Sequence, residues 1–353
     1  SIAVNMVKIR KRKRDIVERF RSANRKRKEE TPGLDLMMGE GRFTGPYTLE
    51  VAMNDGSTRR VTADRIFINT GRRPRYPDLP GVKTVPCLDS TSIMELDEVP
   101  RHLLVLGGGY VGVEFAQMFR RFGSEVTIVQ RSGQLLTHED EDIAAEVASI
   151  LRDDGITVHL SATGTRVEQL SDDRIQLRVE KSDETFDLKG TQILLAAGRV
   201  PNTEALDLEA ATLETTERGH IKVDEHLETN VPGVYALGDV KGGPAFTHIS
   251  YDDFRIVRAN LLKDRARTTT DRLIPYTVFM DPQLGGVGLT ERQARREERE
   301  IKIAKLPMSH VARAIETNET RGLMKAVIDA ETDRILGASV LGVEGGEVMS
   351  VLQ

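Results

Sequence analysis

The apolar residues of this chain change period along its length, and the changes mark out its elements. Val7, Ile9, Ile16, Val17 and Phe20 recur at roughly helical spacing among charged residues, which predicts a helix over 7–29 that Thr31-Pro32-Gly33 terminates. Short segments follow. Gly39–Phe43, Tyr47–Met53 and Thr58–Val61 read as strands, with Asn54-Asp55-Gly56 as the hairpin turn between the last two. Arg65–Gly71 reads as a buried strand ending in a glycine turn, and 72–81, with Pro74, Pro77 and Pro80, as a linker.

From about residue 100 the order is strand, tight turn, helix, strand. Leu103-Leu104-Val105-Leu106 runs into Gly107-Gly108-Gly109-Tyr110-Val111-Gly112-Val113-Glu114, a helical pattern carries Phe115, Ala116, Met118 and Phe119, and Glu125–Val129 is the next strand. That order around G-x-G-x-x-G is a dinucleotide-binding unit. Gly107 permits the turn, Gly109 lets the backbone approach a pyrophosphate at the helix N-terminus, and Gly112 permits close helix–strand packing. A helix over Ile143–Asp154, a strand Thr157–Leu160, a meander over 163–188 and a strand Gln192–Arg199 complete this region. Gly233–Asp239 is another apolar strand ending in Gly-Asp, and a helix is predicted over Thr247–Lys263. From Pro275, strand signals at Tyr276–Met280, Leu323–Ile328 and Ile335–Leu341 surround one helix at Glu291–Arg299, the pattern of a separate α+β domain.

With 353 residues the chain has room for two or three domains. No segment approaches the roughly 18–20 apolar residues of a membrane span. The apolar start, Ser1–Val7, is too short for a signal-peptide core, so the expected location is cytoplasmic. The single cysteine, Cys87, excludes a disulfide or a two-cysteine metal site within these residues. The net charge of −5 conceals a basic start: residues 1–30 carry twelve Lys/Arg against four acids. Phe20 is the one aromatic residue among them, too few to stack a run of bases, so the run reads as a solvated helix face, and neither nucleic acid nor membrane is expected as a partner.

Four patterns occur in order: Gly107-x-Gly109-x-x-Gly112-x-Glu114; Ala197-Gly198-Arg199-Val200-Pro201-Asn202-Thr203; Thr229 followed by Val234-Tyr235-Ala236-Leu237-Gly238-Asp239; and Phe279-Met280-Asp281-Pro282-Gln283-Leu284-Gly285-Gly286-Val287-Gly288. With these the chain resembles the class I pyridine nucleotide–disulfide oxidoreductases, the family of dihydrolipoamide dehydrogenase, glutathione reductase and mercuric reductase. The segments Phe246–Arg255 and Met308–Ala314 look most like the mercuric-reductase-like branch. The resemblance implies an α/β fold with two Rossmann-like nucleotide-binding domains, the NAD(P) domain inserted in an incomplete FAD domain, followed by an α+β dimerisation domain. The corresponding boundaries are 1–85 and 206–270 for the FAD domain, 86–205 for the NAD(P) domain and 271–353 for the dimerisation domain. It implies hydride transfer from NADPH to FAD and onward to a disulfide, metal ion or other acceptor, in a homodimer.

The resemblance also assigns residues. Asp239 matches the aspartate that bonds the FAD ribityl chain, Gly41 a glycine near the adenine, and Thr70-Gly71 a turn beside the cofactor. Thr247 and His248 match a helix start facing the flavin pyrimidine, although His248 could equally be a capping-region residue. Glu114 matches a glutamate facing nicotinamide and flavin. Gly108, Tyr110, Val111, Val167, Gly198 and Arg199 complete the cofactor-binding set. NAD sites place an acid at the end of the second strand to bond the ribose 2′-OH. Here that position is Gln130, followed by Arg131, which favours NADPH. The alternative is that Arg131 faces solvent and NAD is accepted. Family members also carry an N-terminal FAD-pyrophosphate turn with a C-x-x-x-x-C redox pair, and a C-terminal His-Pro-x-x-x-Glu segment. Neither is present, so no catalytic residue is assigned, and the expectation is weak or absent FAD binding, a better-preserved NADPH site and a tendency to associate. The second reading is therefore a nucleotide-binding remnant without reductase activity.

Overall fold

Leu103, Leu104 and Val105 are completely buried, which explains why their strand reads as a continuous apolar run and not as an alternation. In the computed structural model, which describes residues 4–172, 174–263, 266–270 and 272–353, this strand is central to a four-stranded parallel sheet. (Ser1, Ile2 and Ala3 of the apolar start, and Asp173 of the meander, lie outside the described residues.) The sheet order is Gln192–Leu195, His102–Leu106, Glu125–Val129, Thr157–His159. The helices Tyr110–Phe122 and Glu141–Asp153 are its crossovers, the first ended by Gly123 in the left-handed region at φ 109°. The meander is three antiparallel strands, Thr163–Gln169, Ile175–Lys181 and Glu184–Gly190. Ile175, Leu177 and Val179 alternate inward from its middle strand onto Leu104, Val129, Ile193 and Leu195.

The chain divides into two compact units. One consists of residues up to Arg10, Pro74–Gly198 and Leu273–Gln353, and the other of Lys11–Arg73 and Arg199–Arg272. In chain order, therefore, the nucleotide fold is inserted within the second unit. The first unit also contains a five-stranded antiparallel sheet, ordered Tyr276–Val278, Gln283–Gly288, Ile335–Gly342, Leu323–Asp329, Ile301–Pro307. Its Val278, Met280, Leu284 and Leu341 share one core with Val113, Ile143 and Val147 of the parallel sheet's helices. The strands Gln283–Gly288 and Ile301–Pro307 and the helix Gly345–Leu352 were not expected from the sequence.

The second unit has a three-stranded antiparallel sheet, Gly39–Gly45, Thr48–Met53 and Thr58–Thr62, and a parallel pair, Ile66–Ile68 with Val234–Ala236. Phe43, Ile66, Ile68, Ala236 and Val240 bury together between them, and the helix Thr247–Lys263 packs Ile256 and Val257 against Leu237. The N-terminal helix forms as expected, over Met6–Glu29. Its first turn joins the first unit, with Met6 buried and Arg10 donating to the Glu95 carbonyl at 3.0 Å. Its apolar positions Val7, Ile9, Ile16, Val17 and Phe20 are exposed, and surface pairs such as Lys11–Asp15 and Arg25–Glu29 brace it. No helix among the described residues is long and apolar enough to cross a membrane.

Candidate functional site

The glycine turn of the first unit leaves its helix end open. Gly107 takes φ 115°, which only glycine tolerates readily, and a Cβ there would meet the Ala196 backbone. A Cβ on Gly112 would run into the Gly107 carbonyl oxygen, so the third glycine is required for the helix to sit this close to the strand. Gly109 is the N-cap of Tyr110–Phe122 with no side-chain cap, and a Cβ there would meet open space. Among the described residues the amides of Gly109, Val111 and Gly112 have no hydrogen-bond partner. Unpaired amides at the positive end of a helix make an anion site.

Two residues beside this turn are engaged within the protein. The Gly108 amide is not available to a ligand: it donates to Gln130 Oε1 at 2.9 Å, while the Gly108 carbonyl accepts from Leu136 at 2.8 Å. Gln130 is buried, and its Nε2 donates to the Gln134 carbonyl at 3.1 Å, so both ends of its carboxamide are engaged by protein. Arg131, the next residue, is exposed and has no ion pair or hydrogen bond among the described residues. Val167 is almost fully buried among Leu79, Val82, Leu177 and Val179, its amide bonded to the Pro80 carbonyl and its own carbonyl against Gly81. Its side chain therefore presents nothing to a nucleotide.

Tyr110 belongs to a cluster that sequence reasoning missed. Its hydroxyl donates to the fully buried Glu139 at 3.1 Å, and Tyr276 from the antiparallel sheet donates to the other carboxylate oxygen at 2.7 Å. The two rings stack with centroids 5.9 Å apart. Burial raises the Glu139 pKa against the pull of both hydroxyls, and burial beside this carboxylate raises both phenols. Glu114 accepts the Phe279 amide at 2.8 Å, and burial raises its pKa against that hydrogen bond. One turn on, Gln117 bonds Asp154 and the backbone of Asp281.

In the second unit, Thr70 and Gly71 form a turn clamped by Asn202, whose amide nitrogens reach the Gly71 and Thr70 carbonyls, while Thr70 Oγ1 donates back to the Asn202 carbonyl at 2.8 Å. Gly71 takes φ 70°. Asp239 is half-buried in the turn after Val234–Ala236, and its carboxylate accepts no hydrogen bond among the described residues. Its carbonyl accepts from Arg72 Nε at 2.9 Å. Beneath this turn lies Asp253, a fully buried carboxylate to which the sequence reading gave no role. It accepts from the Gly238 amide at 2.8 Å and from Arg272 at 2.6 Å, with Lys241 Nζ at 3.3 Å. Burial lowers the Lys241 pKa against the attraction of Asp253. Thr247 and His248 begin the long helix, His248 stacked on Phe246, and Gly41 lies in its strand with only light contact from Leu49 and Val51. An unsatisfied carboxylate, an open strand surface and a helix start fit one end of a flavin dinucleotide. The only G-x-G-x-x-G in the 353 residues is the one at 107–112.

Gly198, at φ 106° with open space where a Cβ would lie, and Arg199, which donates to the Arg72 carbonyl at 2.7 Å, are both exposed. Cys87 is half-buried, and burial pushes its thiol up to about 11, which suppresses the nucleophilic thiolate at neutral pH. No group of three or more His, Cys, Asp or Glu among the described residues could hold a metal ion.

Comparison with known proteins identifies the family. Residues 3–253 match the pyridine nucleotide-disulphide oxidoreductase family, and residues 274–353 match the dimerisation domain of the same enzymes. The probable pyridine nucleotide-disulfide oxidoreductase RclA of Escherichia coli K12 is 41% identical over 99% of this chain and 78% of its own length. A mercuric reductase of Bacillus cereus is 35% identical over 98% of this chain, which spans 54% of that relative. The Cu(II) complex of the HOCl-induced flavoprotein disulfide reductase RclA from E. coli superposes with a TM-score of 0.90 at 40% identity, over 97% of this chain and 77% of that one. The chain belongs to the pyridine nucleotide–disulphide oxidoreductase family.

Proposed function

We propose that this chain is a flavin-dependent NAD(P)H oxidoreductase that takes hydride from NADPH to FAD and passes electrons to a disulfide, a metal ion or another small acceptor. The observation that carries this reading is the run of unpaired amides at Gly109, Val111 and Gly112, which a nucleotide pyrophosphate would satisfy. NADPH is preferred to NADH because the exposed, unpaired Arg131 guanidinium is available to pair with a 2′-phosphate. Bound FAD would supply the two-electron acceptor. Asp239 would hold its ribityl chain, Gly41 and Thr70-Gly71 would line its path, and the helix end at Thr247 and His248 would favour negative charge on the reduced ring. Glu114 would face the nicotinamide.

The acceptor classes follow what the relatives are named for: a disulfide reductase solved as a Cu(II) complex, and a mercuric reductase. A metal ion would accordingly be substrate. The dimerisation-domain match supports a homodimer. Cys87, alone and held as a thiol, favours the second reading, a nucleotide-binding unit that moves no electrons on its own.

The deciding measurement is a visible spectrum of the chain mixed with excess FAD, desalted, then titrated anaerobically with NADPH. A retained flavin band that bleaches supports the reductase. Loss of flavin on desalting leaves the nucleotide-binding reading.

A further inference from the structure

We propose that Gln130 is a positioning residue for the phosphate-binding turn and takes no part in reading the ribose, so that choice between the two nicotinamide nucleotides falls to Arg131. The inference rests on the reading that the 107–112 turn binds such a nucleotide. Gln130 directly follows the strand Glu125–Val129, where a side chain could project towards a ribose. Instead it turns under the glycine run. Its Oε1 accepts the Gly108 amide at 2.9 Å, and its Nε2 reaches the Gln134 carbonyl at 3.1 Å. Its backbone is equally committed, the amide to the His159 carbonyl and the carbonyl to the Ala162 amide.

These bonds make the segment 130–139 a brace on the turn. The Leu136 amide holds the Gly108 carbonyl at 2.8 Å, Leu135 packs where a Gly108 Cβ would lie, and Glu139 holds Tyr110 at the first helical position. Gly108 is thus fixed from both its amide and its carbonyl, and the unpaired amides of Gly109, Val111 and Gly112 are held before any ligand arrives. A turn held this way does not spend binding energy on becoming ordered. A buried carboxamide bonded to protein at both ends is held on the turn and not extended to a 2′-hydroxyl or 2′-phosphate, whereas Arg131 is exposed and uncommitted.

The test is calorimetric titration of the full chain with NADPH and with NADH, with thermal melting alongside. Gln130→Met keeps side-chain length and removes both hydrogen bonds. It is expected to weaken both nucleotides by the same factor, about three- to tenfold, leaving the NADH:NADPH ratio of Kd values as in the parent. Gln130→Glu serves if the methionine variant does not fold. It too should weaken both nucleotides and leave the ratio within about threefold, whereas a carboxylate facing the ribose would repel the 2′-phosphate and accept the 2′-hydroxyl, moving the ratio towards NADH by more than tenfold. Such a shift in either variant overturns the proposal. So does a lowered melting temperature with both Kd values unchanged, because the brace would then serve the fold alone. A parent chain that binds neither nucleotide refutes the underlying assignment of the turn, and is seen before any variant is compared.

Discussion

Replacing Lys325 by methionine should destabilise the first unit by about 3 kcal/mol at pH 7. Lys325 lies in the strand Leu323–Asp329 with its side chain 2% exposed, and its Nζ stands 3.0 Å from Asp140, 2.9 Å from Asp142 and 2.8 Å from Glu291. Removing one partner of a buried ion pair leaves uncompensated charge and costs roughly 3–5 kcal/mol. The lower end applies here because each carboxylate keeps another partner. Lys305 remains 2.5 Å from Asp142, Arg295 remains 2.7 Å from Glu291, and the Glu291 and Arg292 amides still donate to Asp140. The effect has a pH signature. Burial would raise the Asp142 pKa, but its bonds from Lys305 and Lys325 hold it below the usual carboxylate range, and the Lys325 bond does the same for Glu291. Carboxylates depressed in the folded state contribute stability above their unfolded pKa values, and that contribution is lost as pH falls through the folded ones. In the variant the same groups are repelled towards protonation, so acid relieves it. The two stability curves should therefore converge as pH falls through the carboxylate range towards the depressed folded values. Urea unfolding followed by far-UV circular dichroism suits a chain with no tryptophan. A difference below about 0.5 kcal/mol at pH 7, or a deficit that widens in acid, would refute the reasoning.

Other expectations follow from the same geometry. Arg131→Ala should raise the Kd for NADPH about tenfold in calorimetry and leave NADH within about threefold, since it removes only a charge-assisted contact to the 2′-phosphate. Asp239→Leu should abolish whatever flavin the parent chain retains through desalting, with circular dichroism unchanged, because the carboxylate carries no internal hydrogen bond among the described residues. Asp253→Asn keeps an acceptor for the Gly238 amide but leaves Lys241 and Arg272 opposite a neutral group. It should cost about 2–4 kcal/mol and speed amide hydrogen exchange in 234–240 ahead of the rest of the second unit.

Much of the first unit was legible because its signals are local. The run Leu103–Val105 before the glycine turn is buried on both faces, and Gly107, Gly109 and Gly112 each answer to a different backbone requirement within six residues. The strand Gln283–Gly288 was not legible as a strand, because Gly285 and Gly286 mask its alternation. Those glycines are there for partners remote in sequence: a Cβ at Gly285 would meet Gly345 and Met349, and one at Gly286 the Tyr276 ring. Ile301–Pro307 was missed because it is an edge strand, exposed along much of its length and carrying Lys302 and Lys305. Glu139 and Lys325 carried no assignment in the sequence, and Asp253 stood only within the segment Phe246–Arg255. What makes each of them matter is burial beside a partner on another element, which no local pattern encodes. Gln130 shows the converse: the motif placed it at the end of the strand, and it directly follows Val129, but the direction of its side chain is set by the Gly108 amide and the Gln134 carbonyl.

The two units solve one problem with acceptors of different charge. In each, a buried side chain takes the amide of a turn glycine: Gln130 that of Gly108 at 2.9 Å, Asp253 that of Gly238 at 2.8 Å. Beside the first turn the proposed ligand group is a pyrophosphate, and a buried carboxylate there would repel it across a medium that screens poorly. A neutral carboxamide holds the turn without that repulsion. Beside the second the proposed ligand group is an uncharged hydroxyl chain, and the Asp253 charge is already met by Arg272 at 2.6 Å and Lys241 at 3.3 Å. Exchanging the acceptors separates the two cases. An acid at 130 should act mainly on nucleotide affinity, because its charge faces the ligand. An amide at 253 should act mainly on stability, because the charges it strands belong to the protein.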